Sequence, residues 1–453
     1  MNRSLRVLSL FMTTALVLAA CSSGTATNAP AESAAASAGA SAAESAAAGS
    51  PAAGGSITVT SLWGGSEQDA FQKVLDGFQA ATGITATYQA QRTDYATVLQ
   101  TKITSGSPPD VAIMPGLGFL RQFARSGGLK KVSDLGIDPA SLAANYPPGI
   151  LDPGMVDGEL YGIMVKFNSK STVWYRPDVF TKDTISVPKT WDEFKAALDA
   201  LQAKGEKTPL ALGAKDAWTL TDWFEEVYLR QAGPDAYKKL FSADGDWTDP
   251  TVATAINAMK EVLNEKYVTG GIKGALGTSF TDGIAEAFSA TPKAVVYFEG
   301  GFVGGIATGQ TNTALKPGET IDWFDFPSFA SGAGTGAAEI GGDEIAALTT
   351  NPGVKEFIQY MTTADAGTIW AKTGAIISPV KAVAADAYPT DLAKKEAAQV
   401  AGATAVVYDG SDTLPAAAPD MGAMLQNAIQ GQDLTGLLST FNDGVKAAWA
   451  GEK

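Results

Sequence analysis

Residues 57–88 read ITVTSLWGGSEQDAFQKVLDGFQAATGITATY, and this stretch decides the fold class. Its first six residues alternate in the period of a β-strand, and Ser66 is then predicted to cap a helix, with Asp69 placed as in a capping box. Apolar residues at helical spacing form one face of that helix, which ends at Gly83: Phe71, Val74, Leu75 and Phe78. A second strand is predicted from Ile84 to Tyr88.

The following residues repeat this alternation of helix and strand. Tyr95, Val98, Leu99 and Ile103 form a second helical stripe, and Val111–Met114 is a third apolar strand after Pro108-Pro109. A β-α-β-α-β order is typical of a parallel sheet covered by helices, so the predicted fold class is α/β. Because such sheets bind ligands at the carboxyl ends of their strands, three turns should share one edge: residues 63–65, 92–94 and 115–116.

Later segments continue the pattern. We predict an amphipathic helix over residues 191–201, an apolar strand over 294–298, and helices over 354–362 and 384–401. The strand ends at Glu299, which precedes two glycines. The chain contains no recognisable internal repeat.

The composition excludes several kinds of catalytic and metal site. The chain of 453 residues has one cysteine and no histidine, so Ser-His-Asp triads, Cys-His pairs, histidine metal sites and an intrachain disulfide are impossible. Asp244, Asp246 and Asp249 resemble a calcium loop, but Asp249 occupies the required glycine position and Ala255 the required glutamate position. An Asp249-Pro250 helix start is predicted instead. We predict no metal site and no cofactor.

The formal net charge of −15 makes the chain a polyanion. A polyanion is repelled by nucleic acid and by anionic lipid surfaces, so neither is an expected partner.

The N-terminal residues resemble a lipoprotein signal. Arg3 and Arg6 precede an apolar run from Val7 to Ala20, which is too short to span a membrane comfortably. The run ends in Leu-Ala-Ala before Cys21, the pattern of a bacterial lipobox. We therefore predict a signal peptide over residues 1–20, lipidation of Cys21 and anchoring to the outer face of the cell membrane, with no other membrane contact.

Residues 22–55 are almost entirely Ala, Ser, Gly, Thr and Pro, without an aromatic residue. Such a composition buries too little apolar surface to offset chain entropy. With Cys21 it is predicted to be a disordered tether over residues 21–55.

The folded part resembles extracellular solute-binding proteins of ABC importers, of the carbohydrate (maltodextrin) type, and especially the receptors for α-glucosides. The resemblance extends from about residue 57 to 415. It is carried by an ordered set of stretches: 161–168 with 171–175, Pro-Lys-Thr-Trp-Asp-Glu-Phe at 188–194, 221–225, 341–343, 370–374 and 409–412.

The resemblance implies two α/β lobes of the periplasmic-binding-protein type (type II), joined by crossing strands and closing on a ligand in the cleft between them. Carried over, lobe 1 comprises residues 56–170 and 278–340, and lobe 2 comprises residues 171–277 and 343–453. The implied partners are a small carbohydrate and the membrane permease of an ABC importer, and we expect a monomer. Residues 297–301 depart from the α-glucoside receptors, which leaves the sugar open.

A sugar is held by aromatic rings on its apolar face and by planar polar groups on its hydroxyls. The candidate ligand-binding residues are Trp63, Glu67, Arg92, Lys166, Asp222, Trp223, Glu299, Asp343 and Trp370. Each tryptophan could instead belong to the core. Glu67 could serve only the helix dipole, and Arg92 only a surface ion pair. Asp343 follows two glycines, where the backbone can approach a ligand closely.

Two other classes of protein remain open on the sequence alone. A secreted glycosidase could use two of the carboxylates, and a surface lipoprotein could act as a scaffold or adhesin. We predict a binding protein without catalytic activity.

Overall fold

The structure is a computed structural model that describes residues 55–147 and 150–452. The predicted signal peptide, Cys21 and all but the last residue of the predicted tether lie outside the described residues. Within the described ranges, no helix has both the length and the apolar character needed to cross a bilayer.

The strands lie in two main sheets and one short hairpin. In chain order they are β1 (Ser56–Ser61), β2 (Thr85–Ala90), β3 (Val111–Met114), β4 (Met155–Val156), β5 (Glu159–Leu160), β6 (Gly162–Ser169), β7 (Thr172–Tyr175), β8 (Leu210–Ala211), β9 (Val296–Phe298), β10 (Asp322–Asp325), β11 (Ala338–Ala347) and β12 (Val406–Tyr408).

The α-helices are α1 (Ser66–Thr82), α2 (Tyr95–Thr104), α3 (Leu117–Arg125), α4 (Pro139–Ala143), α5 (Pro177–Asp183), α6 (Trp191–Ala203), α7 (Trp218–Ala232), α8 (Pro234–Leu240), α9 (Pro250–Val262), α10 (Gly271–Ala275), α11 (Phe280–Phe288), α12 (Phe302–Ile306), α13 (Val354–Met361), α14 (Ala364–Ala371), α15 (Asp391–Ala401), α16 (Gly410–Thr413), α17 (Met421–Ile429) and α18 (Leu434–Gly451). Short 3₁₀ turns cover Val132–Leu135, Asp152–Gly154 and Ala385–Ala387, and a π-helical turn covers Ala307–Thr311.

The first sheet contains the predicted parallel unit. β1 lies between β2 and β3 and runs parallel to both, which confirms the β-α-β-α-β prediction. β11 then pairs antiparallel with β3 on one edge and with β6 on the other, while β12 pairs parallel with the start of β11. The first sheet is therefore built from chain segments that precede the strands of the second sheet in the sequence and from segments that follow them.

The second sheet has the order β10-β7-β9-β8. This pairing differs from the predicted grouping of residues 278–340 with 56–170, because β9 and β10 join β7 rather than the first sheet. Helices α13 and α14, predicted to belong with 171–277, pack against α1. Strand period and helix period identify elements locally, whereas the sheet that an element joins depends on contacts distant in sequence.

Two residues join the sheets at one crossing. β6 ends at Ser169 and β7 begins at Thr172, so only Lys170 and Ser171 lie between a strand of the first sheet and a strand of the second. The Lys170 amide donates to the Glu339 carbonyl of β11, which keeps this link against the first sheet. A side chain at position 170 therefore lies between the two halves of the molecule. The first half is built around the first sheet, and the second half around the second sheet.

Of the two predicted helix starts, the one at Asp249 is confirmed and the one at Ser66 is not. Thr190 and Glu193 form a capping box at α6, and Asp249 accepts from the Thr251 amide at the start of α9, as its predicted role requires. Ser66 is the first residue of α1 and makes no capping hydrogen bond, so its predicted role is wrong. The predicted helix over 384–401 is confined to α15, because Pro389 precedes the Thr390 cap.

Glu396 of α15 is buried where β6 ends. Its Oε1 accepts hydrogen bonds from the Ser169 amide at 2.9 Å and from Asn168 Nδ2 at 3.2 Å. Burial raises the pKa of Glu396 to about 7, and the two hydrogen bonds offset part of that increase. The buried carboxyl therefore keeps its proton at a pH where the same group in the unfolded chain is ionised.

Replacing Glu396 by Gln should make folding less sensitive to alkaline pH. The unfolded chain loses this proton near pH 4.5 and the folded chain near pH 7, so the group's contribution to stability falls as pH rises between those values and stays low above them. Glutamine has no proton to lose. Between pH 5 and pH 8 the Glu396→Gln variant should therefore gain about 2–3 kcal/mol relative to the parent in urea unfolding.

Glu319→Gln is the matched control, since the Glu319 side chain is 68% exposed. It should show the same difference from the parent at both pH values. A Glu396→Gln difference that does not change with pH would contradict the assignment of this titration to Glu396.

Candidate functional site

The register of β6 and β11 sets the spacing of the polar residues between the sheets. Asp343 pairs directly with Lys166, and Gly341 pairs with Asn168. Directly paired residues of antiparallel strands project on the same face, and so do residues two apart on one strand. Lys166 and Lys170 therefore follow one face of the chain, separated by roughly 13 Å of strand. We call the side chains around Lys166 the Lys166 cluster and those around Lys170 the Lys170 cluster.

The Lys166 cluster consists of Lys166, Asp343, Glu67 and the ring of Trp63. Lys166 Nζ lies 3.1 Å from Asp343 Oδ2, 3.4 Å from Glu67 Oε1 and 4.7 Å from the centroid of the indole ring. Burial alone would lower the pKa of Lys166, but the charges of Asp343 and Glu67 outweigh it and raise the pKa. The cluster thus presents a fixed ammonium group together with two carboxylates whose second oxygens remain for other donors.

Two of the predicted tryptophans, Trp63 and Trp370, lie in the core next to this cluster. Trp63 and Trp370 pack edge to face at 5.3 Å, and both contact Phe71 at 5.1 Å. Both indoles are buried in the core of the first sheet. They shape and support the Lys166 cluster but present little surface to a stacking ligand in this conformation.

Arg92 and Glu67 lie at the exposed side of the Lys166 cluster. Glu67 is in the first turn of α1 and its side chain is 28% exposed, while Arg92 is exposed and lies over Gly64. A Cβ at Gly64 would be 2.8 Å from Arg92 Cδ, so glycine at this position leaves room for the arginine stem. The prediction that the turns after β1 and β2 share an edge is borne out by this contact.

The Lys170 cluster is more deeply buried. Lys170 Nζ lies 2.7 Å from Asp222 Oδ2 and 3.2 Å from Asp409 Oδ2. Burial by itself would lower the pKa of Lys170, but Asp222, Asp409 and Glu299 raise it well above its usual range. Burial raises the pKa of Asp222 to about 6, against the opposing effect of the Lys170 charge. The predicted residue Asp222 therefore holds the Lys170 ammonium group together with Asp409, and the predicted residue Glu299 lies beside Asp222.

Aromatic rings cover the other side of Lys170. Its Nζ lies 5.2 Å from the centroid of Trp218 and 5.8 Å from that of Phe302. Trp218 begins α7 and is 37% exposed, in contrast to the other tryptophans of both clusters. An exposed indole beside a fixed ammonium group offers a ligand both an apolar surface and a hydrogen-bond donor.

Trp223 does not belong to either cluster. It is fully buried in the core of the second sheet, where its ring packs edge to face on Phe298 at 4.7 Å and on Phe326 at 5.9 Å. One residue after Asp222 on α7, its side chain points about 100° away from that of Asp222. The structure therefore places Trp223 in the core and not, as the sequence predicts, at a ligand.

Lys170, Asp409 and Trp218 were not among the predicted site residues. The signal for Lys170 is its strand-period spacing of four from Lys166, and the signal for Asp409 is its place directly after the apolar strand β12. Both signals are weak without the fold, because position 170 lies at a strand end and β12 has only three residues.

The two halves also touch at the rim. Gln310, in the π-helical turn beyond α12, donates to the Ser66 hydroxyl at the start of α1. On another side, Glu452 at the end of α18 pairs with Arg121 of α3 at 3.0 Å and with Arg125 at 3.2 Å. These contacts join side chains of the first half to side chains of the second.

A cavity of about 700 Å³ lies elsewhere, between residues 187–189, β10, residues 335–338 and α15. None of the predicted site residues lines it. The predicted charged residues lie instead at the two lysine clusters, and at the Lys170 cluster Asp222 comes from α7 and Asp409 from the end of β12.

Comparison with known proteins gives this arrangement a context. Residues 64–368 match the family described as bacterial extracellular solute-binding protein. The osmoprotective compounds-binding protein GgtB of Synechocystis is 31% identical over 366 residues, which cover 80% of this chain and 85% of that protein. The alpha-glucosides-binding periplasmic protein AglE of Rhizobium meliloti is 29% identical over 374 residues, which cover 80% of each.

Solved structures show the same two-lobed fold. A chitin oligosaccharide binding protein superimposes with a TM-score of 0.74 at 22% identity, over 87% of this chain and 99% of that one. The bacterial solute receptor AcbH superimposes with a TM-score of 0.76 at 23% identity, over the same shares of the two chains.

Replacing Lys170 by Met should destabilise the protein strongly. Methionine keeps most of the side-chain volume but leaves the buried Asp222 and Asp409 without their cation, and an uncompensated buried charge costs about 3–5 kcal/mol. Urea unfolding at pH 8 measures the loss. Lys166→Met is the comparison and should cost less, because its partner Glu67 is partly exposed and can be solvated. Equal losses for the two variants would show that the Lys170 cluster has no special role in stability.

Proposed function

The chain belongs to the family of bacterial extracellular solute-binding proteins, and we propose that it captures a small carbohydrate and delivers it to the permease of an ABC importer. The observation that carries this proposal is the pairing of charged and aromatic groups at the junction of the two sheets. Asp343, Lys166 and Glu67 lie beside Trp63 on one side, and Lys170 lies beside the exposed Trp218 on the other.

This arrangement suits the chemistry of a sugar. Carboxylates and ammonium groups bond ring hydroxyls, and an exposed indole covers the apolar face of a pyranose. We assign the polar contacts to Glu67, Arg92, Lys166, Lys170 and Asp343, and the stacking contact to Trp218. Asp222 acts through Lys170, whose ammonium group it fixes with Asp409, and Glu299 acts through Asp222.

The relatives support a carbohydrate or a similar polyhydroxylated solute. AglE is named for α-glucosides, and the diacetylchitobiose binding protein NgcE of Streptomyces coelicolor is 30% identical over 223 residues, 46% of this chain. GgtB is named for osmoprotective compounds. An α-glucoside or a related oligosaccharide is the proposed ligand, and a small polyol belongs to the same chemical class.

The mechanism we propose is ligand-driven closure of two lobes, each centred on one sheet. A sugar that contacts Lys166 on the first half and Trp218 on the second favours the conformation in which both contacts form. The Ser66–Gln310 hydrogen bond at the rim contributes to that conformation. The closed monomer then docks on the permease.

The geometry favours binding over glycoside hydrolysis. A glycosidase needs one carboxyl that carries a proton at the glycosidic oxygen and a second carboxylate opposite it. The two acids of the Lys166 cluster both lie within 3.4 Å of the same ammonium group, so they face one cation and do not flank a space for a glycosidic bond. Fixed acceptors of this kind hold a sugar without transferring a proton to it.

The family description places the chain outside the cytoplasm. We further propose that a lipid on Cys21 anchors it to the outer face of the cell membrane, with residues 22–55 as the tether. The support is the Leu-Ala-Ala-Cys pattern and the position of the chain's single cysteine at the end of the apolar run.

Titration with sugars tests the proposed function. The full-length chain in detergent should show saturable changes in tryptophan fluorescence with at least one of maltose, trehalose, sucrose, glucose or xylose, because Trp218 and Trp63 lie beside the polar contacts. Calorimetry should give micromolar or tighter affinity, with the sugar recovered intact. Cleavage of the sugar would favour the glycosidase, and no binding across the panel would favour a scaffold.

Asp343→Asn should weaken binding of the sugar identified in this way at least tenfold. The amide keeps the shape of the side chain but removes the charge that orients Lys166 at 3.1 Å. Asp391→Asn is the control, since that side chain is 99% exposed, and should bind as the parent does. An unchanged affinity for Asp343→Asn would remove Asp343 from the site.

Cys21→Ser should abolish lipid attachment and release the protein from membranes, since serine offers no thiol for a diacylglyceryl group. Metabolic labelling with a palmitate analogue and fractionation of cells measure both effects. The parent should be labelled and found with membranes. Equal labelling of parent and variant would contradict the anchor at Cys21.

A further inference from the structure

A group of carboxylates beneath Lys170 is not explained by ligand binding. Asp222 on α7, Glu339 on β11 and Asp409 after β12 each place one carboxylate oxygen within 4.8 Å of those of the other two. All three side chains are buried, and Asp222 and Asp409 lie against the Lys170 ammonium group. The three residues come from distant parts of the sequence, and the fold brings them together at the junction of the sheets.

Among the residues that the structure describes, none donates a hydrogen bond to either carboxylate oxygen of Glu339, although this side chain is fully buried. The same part of the chain provides no partner for Asp222 Oδ1. A buried carboxylate without a donor or a cation is costly, so such a group either keeps its proton, as Glu396 does, or has a partner. The unpaired oxygens point to a ligand that supplies positive charge at this place.

The neighbouring charges do not supply it. Glu225, Glu226, Glu299 and Asp412 are further carboxylates near the three, and burial raises the pKa of each. Among the described residues, the cations that pair with this group are Lys170, with Asp222 and Asp409, and Arg230, with Glu226 at 2.8 Å. Glu225 is satisfied by the Tyr237 hydroxyl and two backbone amides. No cation among the described residues pairs with Glu339, and burial and the neighbouring carboxylates raise its pKa.

We propose that Asp222, Glu339 and Asp409 bind a calcium ion. Calcium binds carboxylate oxygens at 2.3–2.6 Å, so oxygens that share one ion lie at most about 5 Å apart. The oxygens of Asp222, Glu339 and Asp409 lie within 4.8 Å of one another and meet that condition. The donor set consists only of oxygen, as a hard divalent cation requires. The sequence contains no histidine that would favour zinc.

A calcium ion here would tie the two halves together at their junction. Asp222 belongs to a helix of the second half, whereas Glu339 lies on a strand of the first sheet and Asp409 follows another. The ion would share Asp222 and Asp409 with the Lys170 ammonium group, which would then be held less tightly. This site differs from the expectation, drawn from the sequence, of no metal, because no local motif contains the three residues.

Thermal unfolding of the full-length chain in detergent tests the proposal. After treatment with EGTA and its removal, 1 mM CaCl₂ should raise the Tm by about 3–5 °C, because a ligand that binds only the folded state stabilises it. The same concentration of MgCl₂ should raise it less, since Mg²⁺ loses its water shell reluctantly. Glu339→Gln should remove the calcium effect.

Glu344→Gln is the matched control. Glu344 lies five residues further along β11 and is outside the group of three; it is also fully buried, and within the described ranges neither of its oxygens has a partner. This variant should keep the full response to calcium. A response lost in both variants would show a general effect of buried charge and would overturn the assignment of the ion to Glu339.

Metal content gives a second readout that does not depend on stability. Elemental analysis after dialysis against micromolar CaCl₂ should find about one calcium per parent chain and less than a tenth of that in Glu339→Gln. If Glu339→Gln does not fold, Asp409→Asn serves in its place. No calcium in the parent, or calcium retained in the folded variant, would overturn the proposal, and protonated carboxyls would then account for the cluster.

Discussion

Lys170 is one of the two residues that join the sheets, and its ammonium group lies against carboxylates contributed by α7 and by the segment after β12. The position of the lysine follows from the strands on both sides, because β6 pairs with β11 and β7 pairs with β9. Without the lysine, the acids around it would be unpaired charges in a medium of low polarity. The junction of the two halves is therefore held by charge as well as by the backbone.

Burying these charged groups costs free energy, and the binding of a polar solute explains their presence better than the stability of the fold does. Well-packed apolar side chains would stabilise the same junction at least as well as buried ions do. Apolar side chains, however, offer no hydrogen bonds to a hydroxylated solute, and a packed apolar junction would not separate readily. Lys166 and Lys170 lie on one face of one strand and its extension, and each presents a fixed ammonium group beside an indole ring, that of Trp63 in the first half or of Trp218 in the second.

The sequence predicted the elements of the first sheet because their signals are local. The alternation in β1 and the apolar face of α1 depend on spacing within one element, and the pairing of Lys166 with Asp343 places two predicted polar residues in contact. The sheet that β9 and β10 join could not be predicted, because strand pairing depends on distant segments. Trp223 illustrates the same limit: its neighbours in sequence are those of a site residue, but its contacts on Phe298 and Phe326 are those of a core residue.

Glycines around the junction leave space that polar side chains from other segments fill. Two glycines before Asp343 were expected to let backbone approach a ligand, yet a Cβ at Gly341 would lie 2.6 Å from Lys170 Cε, so the space belongs to the lysine stem. The same relation recurs where a Cβ would lie close to a long polar side chain: Gly64 with Arg92 at 2.8 Å, Gly65 with Gln310 at 3.0 Å and Gly301 with Glu396 at 1.9 Å. Each glycine thus admits a polar side chain from another segment. Because Lys170 and Glu396 are held by ion pairs and hydrogen bonds of their own, these glycines determine where polar side chains can lie as well as the turns that contain them.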